Sequence, residues 1–287
     1  MSQQARDTLT LDRGTYAAVV RLDVESRPES LTLVRSLLGA VGDTLLLDPE
    51  FMDDLRTAVS EACNNVVLHA YDLGSGLLSV SLLATPEGVQ VLVRDSGGGM
   101  RRISPRTDRM GVGLAVMGAL SERMELRTNP GGGTDVRMWF SHAGVDSDSF
   151  SENQNWIPEP APLSGDIIVS VMPVSLLAPV LARLTRAAAA QARFTTDGIA
   201  EIAAVTDAVA AYAAGASSGG PVDFALSTTT RRLELTAGPF GEVAVVADEH
   251  AQHQVSGPGH EFAEPAFESH GDRKLLRTVI VDERVSA

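Results

Sequence analysis

The chain has 287 residues and a formal net charge of −14, which gives room for two domains and argues against nonspecific nucleic-acid binding. A hydrophobic content of 44% is ordinary for a soluble globular protein, and the single cysteine, Cys63, excludes an intramolecular disulfide. The polar start Met1 to Arg13 has no signal-peptide pattern. The longest apolar run, Ile167 to Ala182, is broken by Ser170, Pro173, Ser175 and Pro179 and falls short of the ~20 residues of a membrane span, so a cytoplasmic chain without a membrane partner is expected.

Tyr16 to Val24 reads as a strand. Arg27-Pro28-Glu29-Ser30 leads into a helical pattern through Leu31, Val34, Leu37 and Leu38. Pro49 opens a second helix. On it Glu61, Asn65 and His69 recur every fourth residue and share one face, amid Leu55, Val59, Ala62, Val66 and Val67. A carboxylate and an amide in register inside an apolar setting suit an oxygen-coordinated Mg²⁺ with a general base beside it. Leu77 to Leu83 and Val89 to Val93 flank Thr85-Pro86-Glu87-Gly88, a hairpin signal. Asp95-Ser96-Gly97-Gly98-Gly99-Met100 ends the second of these strands, and Gly97 and Gly99 let backbone approach a ligand. Gly111-Val112-Gly113-Leu114 opens a helix, whose free N–H groups attract phosphate. The segment before it carries Arg101, Arg102, Arg106 and Arg109, which suit a triphosphate or an acidic partner. Met124 to Thr128 and Val136 to Phe140 are strands around Asn129-Pro130-Gly131-Gly132-Gly133, with Thr134 after the turn.

Taken in order, these four motifs resemble the N box and glycine boxes of the GHKL ATP-binding superfamily. The ending His69-Ala70-Tyr71 and the short segment between Asp95 and Gly111 look most like its anti-sigma-factor serine/threonine kinases. The resemblance covers residues 10 to 142. It implies an α/β fold, a two-layer sandwich of the Bergerat ATP-binding type, with helices on one face of a mixed sheet. It further implies ATP and Mg²⁺ as cofactors, Glu61 as catalytic base and Asn65 as the metal ligand. Asp95 would accept a hydrogen bond from the adenine amino group and Thr134 would close the adenine pocket. Gly97, Gly99, Met100, Gly111, Gly113 and Leu114 would complete the cofactor-binding set. The implied partners are a small STAS-type anti-anti-sigma protein, a sigma factor, or both, with no direct nucleic acid. An ATP-gated binding module that transfers nothing is the alternative.

Residues 144 to 164 are polar and proline-bearing, with four acids and no base from residue 146 on, and read as a linker between domains at 1–143 and 165–287. The second half repeats the first in outline. Ile167 to Met172 is a strand, Leu176 to Ala192 and Ile199 to Ala213 are helices, and Val222 to Leu226 with Arg232 to Thr236 form a hairpin. Leu275 to Val281 closes the sheet. A shift of 146 puts Asp207, Ala211 and Gly215 where Glu61, Asn65 and His69 stand, and Ala237-Gly238-Pro239-Phe240-Gly241 has no aspartate. A degenerate, non-nucleotide-binding copy of the same α/β fold is expected, making an intramolecular pseudo-dimer or leaving a homodimer to form.

Overall fold

A computed structural model describes residues 18–71, 74–98, 108–142, 156–157, 159–217, 219–240, 262–270 and 273–283. In the first half β1 (Ala18–Glu25) is followed by α1 (Ser30–Leu45) and α2 (Pro49–His69). Then come β2 (Leu77–Thr85), β3 (Gly88–Asp95), α3 (Asp108–Leu120), β4 (Arg123–Thr128) and β5 (Thr134–Ser141). Helix α2 begins where the sequence says it must. Asp48 caps it, its carboxylate accepting from the Glu50 N–H at 2.9 Å and the Phe51 N–H at 3.3 Å, and Pro49 takes the first helical position. Helix α3 starts three residues before the expected Gly111.

The five strands of the first half lie in the order β1-β2-β3-β5-β4. The β2–β3, β3–β5 and β4–β5 pairs are antiparallel. Short connections explain this: Thr85 pairs with Gly88 across a two-residue turn, and such a turn can only reverse the chain. Leu55, Val59 and Ala62 of α2 are fully buried, as are Val80, Val91 and Val93 of the sheet and Met117 of α3.

In the second half β6 (Ile167–Met172) leads through a short 3₁₀ turn to α4 (Leu177–Gln191) and α5 (Thr196–Ala216). β7 (Val222–Thr229), β8 (Arg232–Phe240), β9 (Phe262–His270) and β10 (Arg273–Val281) follow, in the sheet order β6-β7-β8-β10-β9. This is the same permutation of five strands as in the first half. Helix α5 is long and apolar enough to cross a membrane by length and composition alone. Here it packs against α4 and β8 and buries Ile202, Val205, Val209 and Ala213.

Two compact units result, and neither is continuous in sequence. Met1–Arg21 and Asp48–Glu159 mark the first, and Leu22–Leu47 and Pro160–Ala287 the second. Consecutive domains at 1–143 and 165–287 do not foresee this exchange. Helix α1 belongs to the second unit, where it packs against α4. Gln191 donates to the Glu29 carbonyl at 2.9 Å, and Arg183 pairs with Asp43.

Within the first unit Asp135 receives Arg94 through two bonds, Nε at 2.8 Å and Nη2 at 2.7 Å, and the Asn129 amide at 2.9 Å. Burial alone would raise the Asp135 carboxyl, but the bonds from Arg94 and Asn129 and the guanidinium charge hold it below the usual range. A depressed carboxyl adds stability that is present above its unfolded value of about 3.9 and is lost as pH falls through the lower folded one. Asp135→Asn is therefore expected to cost about 2 kcal/mol in urea unfolding at pH 7, toward the low side of a charged-bond loss because the Arg94 side chain is 36% exposed. The gap to the unaltered protein should narrow as the pH drops below about 4.

Candidate functional site

An open cleft runs along α2 in the first unit. Helix α2 supplies Ala62, Asn65, Val66, His69 and Ala70, β3 ends on it at Asp95, and α3 contributes Leu114. Leu126, Thr134 and Val136 of the β4–β5 hairpin complete it. Asn65 and His69 reach the same space because four residues separate them on one helix face. Leu126 and Val136, like Ala70, become recognisable only in the fold, because isolated apolar residues carry no sequence signal.

Glu61 and Asn65 both face Gly113. A Cβ on Gly113 would stand 3.1 Å from Glu61 Oε2 and 3.6 Å from the Asn65 side-chain oxygen, so glycine brings α3 close to this pair. Asp95 lies at the opposite end of the cleft, beside Ala70. Nine residues separate Glu61 from Ala70, about 13 Å along a helix axis.

Asp95 is 4% exposed. Its Oδ1 accepts from the Gly97 N–H at 2.8 Å, and Thr134 donates from its hydroxyl and its backbone N–H. Burial pushes this carboxyl above the usual range, against the pull of the Gly97 and Thr134 bonds, and the Asp135 charge adds to the rise. Two glycines permit the local backbone. Gly97 runs so close to α2 that a Cβ there would meet the Ala70 carbonyl oxygen at 2.0 Å. Gly133 adopts φ +85°, and its Cβ would meet the Asp95 carbonyl oxygen at 2.1 Å.

The structure thus brings together Glu61, Asn65, Asp95, Gly97, Gly113, Leu114 and Thr134. Gly99 and Met100 lie outside the described residues, as do Arg101, Arg102 and Arg106; of Arg109 and Gly111 only the place in α3 is described. Among the described residues no group of three His, Cys, Asp or Glu side chains could hold a metal by itself. Asn65 offers one neutral oxygen on the cleft wall, which fits an ion such as Mg²⁺ that takes most of its ligands from phosphate and water.

The corresponding place in the second unit is built differently. Along α2, Leu55, Ala58, Val59, Ala62, Cys63 and Val66 are buried. Along α5, Ile202, Val205, Thr206, Val209, Ala210 and Ala213 are buried, each 147 positions on. The shift of 146 is therefore corrected by one residue. A one-residue slip turns a helix by 100°, and burial fixes which face points inward. At 147, Ala208 stands for Glu61, Tyr212 for Asn65 and Ala216 for His69. On β10, Leu276 pairs with Ala237 and Lys274 with Phe240, so β8 carries one extra residue there. The buried series Leu233, Leu235, Ala237 then continues at Phe240, as Val89, Val91, Val93 continues at Asp95. Tyr212 and Phe240 meet edge to face, ring centres 5.4 Å apart, where the first unit has an amide and a carboxylate.

Comparison with known proteins places this geometry. Residues 24–140 match the family model described as a histidine kinase-like ATPase domain. The anti-sigma F factor of Thermoanaerobacter sp. (strain X514) is 27% identical over 133 residues, 43% of this chain and 93% of that protein. The serine-protein kinase RsbW of Bacillus pumilus is 28% identical over 152 residues, 47% of this chain and 94% of that protein. The anti-sigma F factor of Pasteuria penetrans is 33% identical over 106 residues, 32% of this chain and 71% of that protein. The likeness to the GHKL superfamily and its anti-sigma-factor kinases is borne out, and the chain belongs to the histidine kinase-like ATPase family.

Proposed function

We propose that the chain is a cytoplasmic, ATP-binding anti-sigma regulatory factor that phosphorylates a serine or threonine of a small STAS-type anti-anti-sigma partner and also engages a sigma factor. The observation that supports it best is one cleft lined by Asn65, Leu114, Asp95 and Thr134, with Glu61 beside Asn65 against Gly113. Relatives named anti-sigma F factor and serine-protein kinase support the class of partner and reaction.

In this reading Asp95 accepts the adenine amino group and Thr134 closes over the base. A carboxylate suits a group that only donates, and it repels the carbonyl that guanine presents at the same place. Gly97, Gly99 and Met100 let the backbone approach the base, and Gly111, Gly113 and Leu114 at α3 approach the phosphates. Mg²⁺ bound with the nucleotide neutralises phosphate charge, and Asn65 would give it a side-chain oxygen. Glu61 takes the proton of the partner hydroxyl as its oxygen bonds to the γ-phosphorus. The bond from the γ-phosphorus to the β–γ bridging oxygen breaks, and ADP leaves.

The kinase site lies within residues 1–143, 144–164 form the acidic linker, and 165–287, joined by the exchanged Leu22–Leu47, form a degenerate copy that binds no nucleotide. Tyr212 and Phe240 stand where the first unit has Asn65 and Asp95, and Ala208 offers no base. Calorimetry on the full chain is accordingly expected to titrate one Mg²⁺-ATP per chain; two equivalent sites would overturn the degenerate-copy reading.

Radiolabelled ATP with partner proteins from the same cells tests the kinase activity. Label on a protein serine or threonine supports it. Tight ATP binding without label on any protein overturns transfer and leaves the ATP-gated binding module as the better account.

A further inference from the structure

The turn that carries Asp95 is fastened to the end of α2 by a side chain the nucleotide motifs do not use. Tyr71 follows the helix directly. Its phenol oxygen accepts from the Ser96 N–H at 3.0 Å and donates to the Leu77 carbonyl at 2.6 Å. Two residues beyond Ser96, the Gly98 N–H donates to the Ala70 carbonyl at 3.0 Å. Gly76 lies against the Tyr71 ring, where a Cβ would come within 2.2 Å of Cε1, so glycine at this position makes room for the phenol. On the other flank the Gly132-Gly133 turn presses on the backbone of Gly97 and Asp95. The Asp95 turn is thus gripped from two sides, and Tyr71 supplies the only side-chain hydrogen bond to its backbone from α2 or the following loop among the bonds described.

We propose that Tyr71 is a positioning residue for nucleobase recognition, holding the Asp95–Gly98 turn so that the Asp95 carboxylate meets the base at a fixed angle. The proposal rests on the nucleotide reading above. Tyr71 touches no phosphate in this arrangement. It ties the base end of the cleft to the helix that carries Asn65 and Glu61 at the phosphate end. Without its hydroxyl the Ser96 N–H loses its partner, the turn gains freedom, and adenine pays the cost of ordering it on binding.

The test uses the full chain and the Tyr71→Phe variant, which keeps the ring against Gly76. Adenosine, ADP and Mg²⁺-ATP are titrated against both, with GTP as the mismatched base. Affinity for all three adenine ligands should fall by the same factor, about three- to tenfold, the worth of one net hydrogen bond. The preference for ATP over GTP should shrink with it, and phosphate transfer at saturating ATP should keep its rate, so the Michaelis constant rises alone. In an Asp95→Ala background the Tyr71→Phe change should add nothing, because it acts through the carboxylate. Unchanged adenosine affinity, an unchanged ATP-to-GTP ratio, or a full additive loss in the Asp95→Ala background would overturn the proposal. Failure of the unaltered protein to bind any adenine ligand would overturn the nucleotide reading itself and this inference with it.

Discussion

Replacing Glu61 by alanine is expected to leave Mg²⁺-ATP binding within a few-fold while lowering transfer to protein by ~10²–10⁴, the usual worth of a positioned general base. Glu61 stands at the Gly113 end of the cleft, about 13 Å along α2 from the turn that carries Asp95. Its loss therefore leaves the base-binding end untouched. Asn65→Ala should behave differently. Asn65 is one turn nearer the base end and lines the cleft itself, and its amide offers the neutral oxygen suited to Mg²⁺. Removing it should abolish the Mg²⁺ dependence of ATP binding together with transfer. Calorimetry with and without Mg²⁺, beside a radiolabel transfer assay, separates the two variants. A Glu61→Ala protein that transfers at the normal rate would rule Glu61 out as the base.

Asp95→Asn is expected to weaken ATP binding roughly ten- to a hundredfold, the range for losing a hydrogen bond to a charged group. The asparagine oxygen can still receive the Gly97 N–H, but the charge is gone, and its NH₂ end faces donors from Thr134. The unliganded protein should respond in the opposite sense. Burial holds the Asp95 carboxyl above its usual range, so the folded chain binds that proton more tightly than the unfolded chain. Such a group contributes stability that is fully present below the unfolded value of about 3.9 and is lost as pH rises through the folded one. Above that folded value the ionised carboxylate is a burden on the unliganded fold. Asp95→Asn should consequently melt no lower than the unaltered protein at pH 7 and should lack this part of the pH dependence. Weaker ATP binding with a preserved or raised melting temperature marks a residue kept for its ligand. A large drop in melting temperature with unchanged affinity would reduce Asp95 to a turn residue.

Much of the first unit was legible because its signals are local. Asp48 and Pro49 mark the start of α2, Thr85 to Gly88 mark the β2–β3 turn, and the fourfold spacing of Glu61, Asn65 and His69 puts them on one face whatever surrounds the helix. Gly97 announced a close approach, and the structure shows it against the Ala70 carbonyl; Gly113 inside α3 and Gly133 in the β4–β5 turn make two more, to Glu61 with Asn65 and to the Asp95 backbone. The pairing of β3 with β5 escaped, because sheet order depends on partners far away in the chain.

The sequence by itself determined the elements apart from β9, the polar stripe of α2 and the polar residues of the cleft, since periodicity and turn chemistry act within a few residues. Only the tertiary structure decided three things. Helix α1 joins the second unit, because an apolar helix face can be buried against α4 over 130 residues away as well as against its neighbours in sequence. Tyr212 replaces Asn65 in the repeat, because the inward face of α5 is set by packing and an extra residue on β8 turns Phe240 toward it. Tyr71 clamps the Asp95 turn, because the Ser96 N–H and the Leu77 carbonyl meet its hydroxyl only once β2 and β3 are paired beside the end of α2. Each of these is a contact between segments distant in sequence, and no local pattern encodes it.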